Sequence, residues 1–473
     1  MESEDSLSPL VVEKSEVVLV KPSKPTPDVS LSLFTLDNDP MVESIVQTIC
    51  VFAPEPYLED QANHDLAYLL QHALSHALVY YYPFAGKLHR KSDDNRLQLN
   101  CKPGDGVPFI RATAACTLSS LNYLDSAGDE AYQLVPCYEP VKGCEGYDPL
   151  ALQVTKFACG GITIGMAHSH SVADGVGAAQ FFRAMIELAS GKTQPSVIPV
   201  WEMSLFCLCL ALMIMKLQIN LIISCDIGDI GGVVDFPEAG SFIATSANTL
   251  TGDMAREILN ITSEDIMKLK RTIANGEQIT NENEEKVVVT TLEIIAAQVW
   301  RARCRVLNMS PDEVVVLGMA IGIRSFIEPP LLEGYYGNAL ISGSVAMTAN
   351  ELTKSSLSRV VRLIKDMKRA ALDKRYVFGK LCEIERRLKE MSSTIGISKG
   401  VLTVTDWRQI GLQYNGWGGL VNIIPLVPMT MDLCVLLPAS KADPGMSGGV
   451  RVLVTLPRDV MAKFKEEIKL STK

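Results

Sequence analysis

Gly161-Ile162-Thr163-Ile164-Gly165-Met166-Ala167-His168-Ser169-His170-Ser171-Val172-Ala173-Asp174-Gly175 is the stretch on which the reading of this chain turns. Gly161 to Ala167 is mostly apolar and reads as a buried strand. Residues 150–156 alternate in polarity before it, and the two strands join near Cys159-Gly160-Gly161. After Gly175, residues Ala178, Ala179, Phe182, Met185, Ile186 and Ala189 recur at spacings of three and four, which predicts an amphipathic helix over Gly175 to Ala189. The unit is therefore strand, turn, helix, and His170 stands where the strand gives way to the turn. An imidazole there can take a proton from a hydroxyl at neutral pH, and Asp174, four residues on, can fix the loop. Read alone, the pattern is better explained by a core histidine followed by a helix-capping aspartate.

Working outward, Leu10 to Val12 and Val17 to Val20 read as strand, and Lys21 to Pro27 as a Pro-rich connector. Leu66, Leu70, Ala73, Leu74, Ala77 and Leu78 predict a helix that stops at Tyr82-Pro83, where proline cannot continue the ladder. In the second half, Thr262 with Asp265 and Thr290 with Glu293 are capping-box helix starts. Strands are expected at Val287 to Val289, Val314 to Ile321, Gly400 to Val404, Asp432 to Leu437 and Gly449 to Leu456. The result is a mixed α/β chain, and 473 residues suggest two domains, with a boundary near 195 to 245. That boundary holds an apolar run, Leu205 to Met215, extended to Ile223 with only Lys216, Gln218 and Asn220 as clearly polar residues. Three polar side chains within the last eight positions argue against a membrane span.

A net charge of −10 argues against nucleic acid as a partner, because phosphate binding needs a clustered excess of Lys and Arg. The twelve cysteines are scattered without a C-x-x-C pair, so neither a disulfide framework nor a zinc cage is indicated, and a reducing cytosol fits. The acidic start, Met1-Glu2-Ser3-Glu4-Asp5, does not read as a secretory signal. His168 and His170 fall on one strand face and with Asp174 are candidate metal ligands, while His72 and His76 share a helix face but lack the glutamate of H-E-x-x-H; no metal is expected. Gly445-Met446-Ser447-Gly448-Gly449 matches the hydrolase elbow, but no histidine follows it, so it reads as a flexible loop. Arg359, Arg362, Lys365, Lys368 and Arg369 lie on a helix whose apolar side is Val360, Val361, Ile364 and Met367. A solvated basic face explains them, and contact with a nucleotide phosphate is the rival reading.

Four phrases in order resemble the plant BAHD acyltransferases. They are Tyr82-Pro83-Phe84-Ala85-Gly86-Lys87-Leu88, His170 to Gly175 as H-x-x-x-D-G, Pro329-Pro330-Leu331 with Gly334-Tyr335-Tyr336-Gly337-Asn338, and Tyr414-Asn415-Gly416-Trp417-Gly418. The resemblance covers about residues 10 to 200 and 245 to 470, and the phrasing looks nearest the alcohol and taxane acyltransferases. It implies two chloramphenicol-acetyltransferase-like domains, 1–195 and 246–473, joined by a crossover linker at 196–245, with a channel between them. It also implies acyl-CoA as co-substrate with no bound cofactor, a small-molecule alcohol or amine as acceptor, and a monomeric cytoplasmic enzyme.

In that family His170 would be the general base. Asp174 would turn away from the substrate to pair with Arg324, while Gly175, Gly416, Trp417 and Gly418 would support the site. Two features depart from the pattern. Tyr414-Asn415 stand where the family has Asp-Phe, which removes a carboxylate from that loop, and the apolar 203–225 segment replaces a polar linker. A catalytically silent relative that binds CoA or a partner, and a membrane-anchored protein using 205–223, are the rival readings.

Overall fold

The computed structural model describes residues 10–40, 42–54, 65–125, 128–137, 146–201, 253–276, 289–326, 330–390, 399–413, 419–429 and 431–470. The apolar segment 203–225 and the Tyr414 to Gly418 phrase lie outside them, as do Val287 and Val288.

Alternating and apolar runs give the first half its strands: β1 (Val12–Lys14), β2 (Val18–Val20), β3 (Val29–Ser32), β4 (Ile45–Phe52), β5 (Lys87–Arg90), β6 (Leu97–Cys101), β7 (Val107–Ala114), β8 (Leu150–Phe157) and β9 (Ile162–Ser169). The second half adds β10 (Met254–Ile261), β11 (Val314–Gly322), β12 (Leu340–Thr348), β13 (Val401–Asp406), β14 (Leu420–Pro425), β15 (Leu433–Pro438) and β16 (Val450–Pro457). Two large sheets result. One has the order β1-β7-β8-β9-β4-β14, with β2 also on β7. The other has the order β10-β16-β15-β13-β11-β12, and β3-β6-β5 form a small third sheet.

Helix α1 (Leu66–Tyr80) buries the six apolar residues that its spacing marks, and α2 (Gly175–Ala189) buries its predicted stripe together with Phe181 and Ala184. The two pack together against the first sheet in a core that includes Leu70, Leu74, Phe84, Ile164 and Phe182. The second sheet is covered by α3 (Ser263–Gly276), α4 (Thr291–Val306), α6 (Leu357–Ala370) and α8 (Arg458–Leu470), around Trp300, Leu317 and Phe464. Between these lie the short α5 (Ala349–Lys354) and α7 (Lys374–Glu390). Thr290 and Glu293 close a full capping box on α4, and Thr262 and Asp265 exchange bonds at the start of α3. The loop at Gly445 to Gly449 is an ordered turn, with Asp443 Oδ1 accepting from Gly445 N at 3.0 Å.

Sequence halves and sheets do not coincide throughout. β14, from beyond residue 400, is laid antiparallel on β4 with Ile423 opposite Cys50, so the first sheet ends on a strand from the other half. A second tie is Arg451, whose fully buried guanidinium pairs with Asp125 and donates to Pro438 O at 2.8 Å. A third is Arg256, which donates to Val427 O at 3.0 Å and lies over the Tyr132 ring. The two halves are thereby joined through main chain as well as through side chains.

Candidate active site

β9 is buried along its whole length between β8 and β4, and it ends at Ser169, so His170 is the first residue past the sheet. Its N–H donates to Ser44 O at 2.9 Å and its carbonyl accepts from Asn338 Nδ2 at 2.8 Å. The side chain is partly exposed, while Nδ1 is buried without a hydrogen-bond partner. Burial pulls its pKa below the ordinary 6.5, and the nearby Asp174 charge raises it in part. The net effect keeps the ring neutral and able to accept a proton at physiological pH.

Asp174 caps α2, its Oδ1 accepting from Gly177 N at 2.9 Å. The same carboxylate takes a two-pronged contact from Arg324, Nη1 to Oδ2 at 2.6 Å and Nη2 to Oδ1 at 3.0 Å, and a further bond from Ala339 N at 3.1 Å. With its oxygens so engaged, Asp174 forms no hydrogen bond with the His170 ring, whose Nδ1 is unpartnered. Arg324 also donates to Gly337 O at 2.7 Å. Gly175 opens α2 against Ile410, and a Cβ on Gly177 would stand 1.8 Å from Tyr336 O, so only glycine lets the helix start this close to the 334–338 segment. Gly334 has φ +89°, which lets that segment turn.

The phrases that are separate in sequence meet in space. Tyr81 and Phe84 pack on Phe181 of α2 and on Tyr336, with Phe84 to Phe181 centroids 4.8 Å apart and Tyr81 to Tyr336 5.0 Å. Gln180 donates to Gly334 O at 2.9 Å and to the Tyr81 hydroxyl at 3.2 Å. Tyr82 to Gly86, His170 to Gly175 and Gly334 to Asn338 therefore form one continuous body. Gly416, Trp417 and Gly418 lie outside the described residues.

Two participants carried no assigned role in the sequence reading. Asn338 was visible only as the last letter of a phrase. Asp37, in a short turn at Leu36–Asn38, showed no signal at all, since a turn carboxylate is ordinarily exposed. It is buried here, accepting from Phe34 N at 3.0 Å, Asn338 N at 3.1 Å and Asn338 Nδ2 at 2.9 Å. Burial pushes its pKa up to about 7 against the pull of those donors. His168, two residues before His170, is buried with neither ring nitrogen hydrogen-bonded, and burial lowers its pKa to about 3. It is a neutral part of the interior. Among the described residues, no group of three His, Cys, Asp or Glu side chains could hold a metal ion. The basic helix α6 presents Lys368 to Glu293 at 2.8 Å and buries Val360, Val361, Ile364 and Met367. No helix among the described residues is long and apolar enough to cross a membrane.

A family model described as the Transferase family matches residues 10–471. The chain is 42% identical over 471 residues to the spermidine coumaroyl-CoA acyltransferase of Arabidopsis thaliana, covering 97% of this chain and 95% of that protein. It is 39% identical to the spermidine sinapoyl-CoA acyltransferase of the same plant, covering 97% of each. It is 30% identical to the 3'-N-debenzoyl-2'-deoxytaxol N-benzoyltransferase of Taxus canadensis, covering 96% and 95%. In fold it is similar to vinorine synthase, with a TM-score of 0.66 at 19% identity over 98% of this chain and 100% of that one. A TM-score of 0.66 at 13% identity relates it to F. graminearum TRI101 complexed with coenzyme A and deoxynivalenol, over 93% and 97%. Both neighbours share the two-domain mixed α/β fold. With the family model spanning nearly the whole chain and these acyltransferases aligned along it, the protein belongs to the plant BAHD acyltransferases and is an acyl-CoA-dependent acyltransferase.

Proposed function

We propose that the protein transfers a hydroxycinnamoyl group from its CoA thioester to an amine of an aliphatic polyamine, with His170 as general base in a channel between the two domains. The observation that carries the mechanism is a neutral, partly exposed imidazole at a strand end, pinned through its main chain and lacking a carboxylate partner. The substrate class is taken from the spermidine acyltransferases, at 42% and 39% identity over nearly full length.

The acceptor nitrogen, in its free-base form, attacks the thioester carbonyl. The adduct nitrogen is then cationic and acidic, and His170 takes its proton as the C–N bond forms. The tetrahedral oxyanion collapses, the C–S bond breaks, and the imidazolium proton passes to the departing CoA thiolate. No covalent acyl-enzyme is required. Asp174 and Arg324 serve this scheme as scaffold, and Gly175, Gly416, Trp417 and Gly418 as support of the site.

The test is free-thiol release from coumaroyl-CoA with spermidine, with an alcohol acceptor in parallel and products identified by mass. Turnover with the amine and a loss of roughly 10² to 10⁴ in His170→Ala are expected. Wild-type turnover in that variant would remove the base assignment. Transfer only to the alcohol would remove the amine. No thiol release with any acyl-CoA and acceptor pair would favour a silent relative that binds CoA or a partner.

A further inference from the structure

A general base works only if its ring is held in place, and the usual way is a carboxylate or carbonyl on the second ring nitrogen. No carboxylate holds the His170 ring, because Asp174 is committed to Arg324, Gly177 and Ala339. Nδ1 is buried without a well-formed hydrogen bond, and, apart from nearby carboxylate charge, the groups beside the ring that raise its pKa are its own carbonyl and the Asn338 amide. Ring position then follows from main-chain position and from the Asn338 amide beside the ring, and the main chain of His170 is tied on both sides. One tie is an ordinary backbone bond, His170 N to Ser44 O at 2.9 Å. The other is a side chain from more than 160 residues away, Asn338.

The amide of Asn338 has two hydrogens on Nδ2, and each finds one acceptor, His170 O at 2.8 Å and Asp37 Oδ1 at 2.9 Å. Reversing the amide would set its oxygen against two other oxygens, so the Asp37 carboxyl fixes which way it faces. Asn338 N also donates to Asp37 Oδ1 at 3.1 Å, which fixes the residue at its backbone as well. Both residues are almost fully buried, at 1% and 3% exposure, so water does not compete for these bonds. Its neighbours tie the same segment to the histidine loop, Gly337 O through Arg324 and Ala339 N through Asp174.

We propose that Asn338, oriented by Asp37, is a positioning residue for acyl transfer, its amide bridging the Asp37 carboxyl to the main-chain carbonyl of His170. This rests on His170 being the base. Asn338 itself touches neither substrate nor reacting atoms in this scheme. Its effect on rate passes through the histidine, which separates it from a residue that merely holds the two halves together.

The experiment compares Asn338→Ala, His170→Ala and the double variant of the full chain, by steady-state thiol release from coumaroyl-CoA with spermidine. Asn338→Ala is expected to lower kcat roughly 10- to 100-fold, the scale of a base displaced by about an ångström, with KM for both substrates within about two-fold. In the His170→Ala background the same change is expected to cost less than about two-fold, because groups that act as a unit are not additive. Asn338→Ser, which retains one hydroxyl donor, is expected to recover part of kcat, and it carries the same comparison if the alanine variant does not fold. Equal fractional losses in both backgrounds, or a raised KM at unchanged kcat, would overturn the bridge and leave the base reading standing. Wild-type turnover in His170→Ala would remove both.

Discussion

His170 joins two properties that usually oppose one another, burial that lowers its pKa and a neighbouring carboxylate that raises it. Burial is the larger effect, so the free-base form persists below the ordinary imidazole range. The sign of the pH dependence follows from the proposed mechanism, in which the base is the neutral ring. kcat/KM should be level from pH 6.5 upward as far as this group is concerned, and should fall only on the acid side, below 6.5. A profile of kcat/KM against pH checks this, and an acid limb centred above 6.5 would contradict the direction. The place of His170 at a strand end was legible from the sequence, while its role as base was an expectation carried by the four phrases together. Its surroundings were not legible, since the Ser44 carbonyl reaches it from one distant segment and Asn338, held by Asp37, from another.

At the scale of elements, the strand-turn-helix unit works because α2 begins unusually close to the 334–338 segment. Gly177→Ala would set a methyl 1.8 Å from the Tyr336 carbonyl oxygen, and neither backbone can yield without moving the Asp174 cap or the segment that carries Asn338. Overpacking of this kind costs about 1–3 kcal/mol, so a clearly lower melting temperature is expected, with kcat reduced as the loop shifts. An unchanged melting temperature and rate would show that the contact relaxes freely. Periodicity revealed α1, α2, α4 and α6 because an amphipathic stripe repeats over three or more turns. It passed over β4, β7 and β12, whose lengths of eight or nine residues carry mixed burial or a long apolar run without clean alternation. Val289 was expected to close a strand and instead leads directly into the Thr290 cap.

Across the whole molecule, two buried groups near the site set opposing pH dependences of stability. His168 falls from an ordinary 6.5 to about 3, so the unfolded chain protonates first, and stability is lost as pH drops from 6.5 toward 3. Asp37 rises from 3.8 to about 7, so the folded chain holds the proton more tightly, and stability grows as pH drops from 7 toward 4. Each slope approaches about 1.4 kcal/mol per pH unit, and between roughly pH 4 and 6.5 they offset one another. His168→Leu should unmask the Asp37 slope: urea midpoints of the variant should rise relative to wild type as pH falls through that window. Parallel midpoints for the two proteins would show that His168 does not stay neutral in the interior.

Composition, helical period and capping signals were enough to give a mixed α/β chain with a histidine on a strand-to-helix turn, because these depend on neighbours within about a dozen residues. The four phrases added the family, because together they are specific where each alone has an ordinary explanation. Only the tertiary structure decided that β14 completes the first sheet and that Asp37 and Asn338 close over the main chain of His170. Each of these joins residues more than 150 positions apart, and local physical chemistry holds no information about which distant group will meet a buried polar atom.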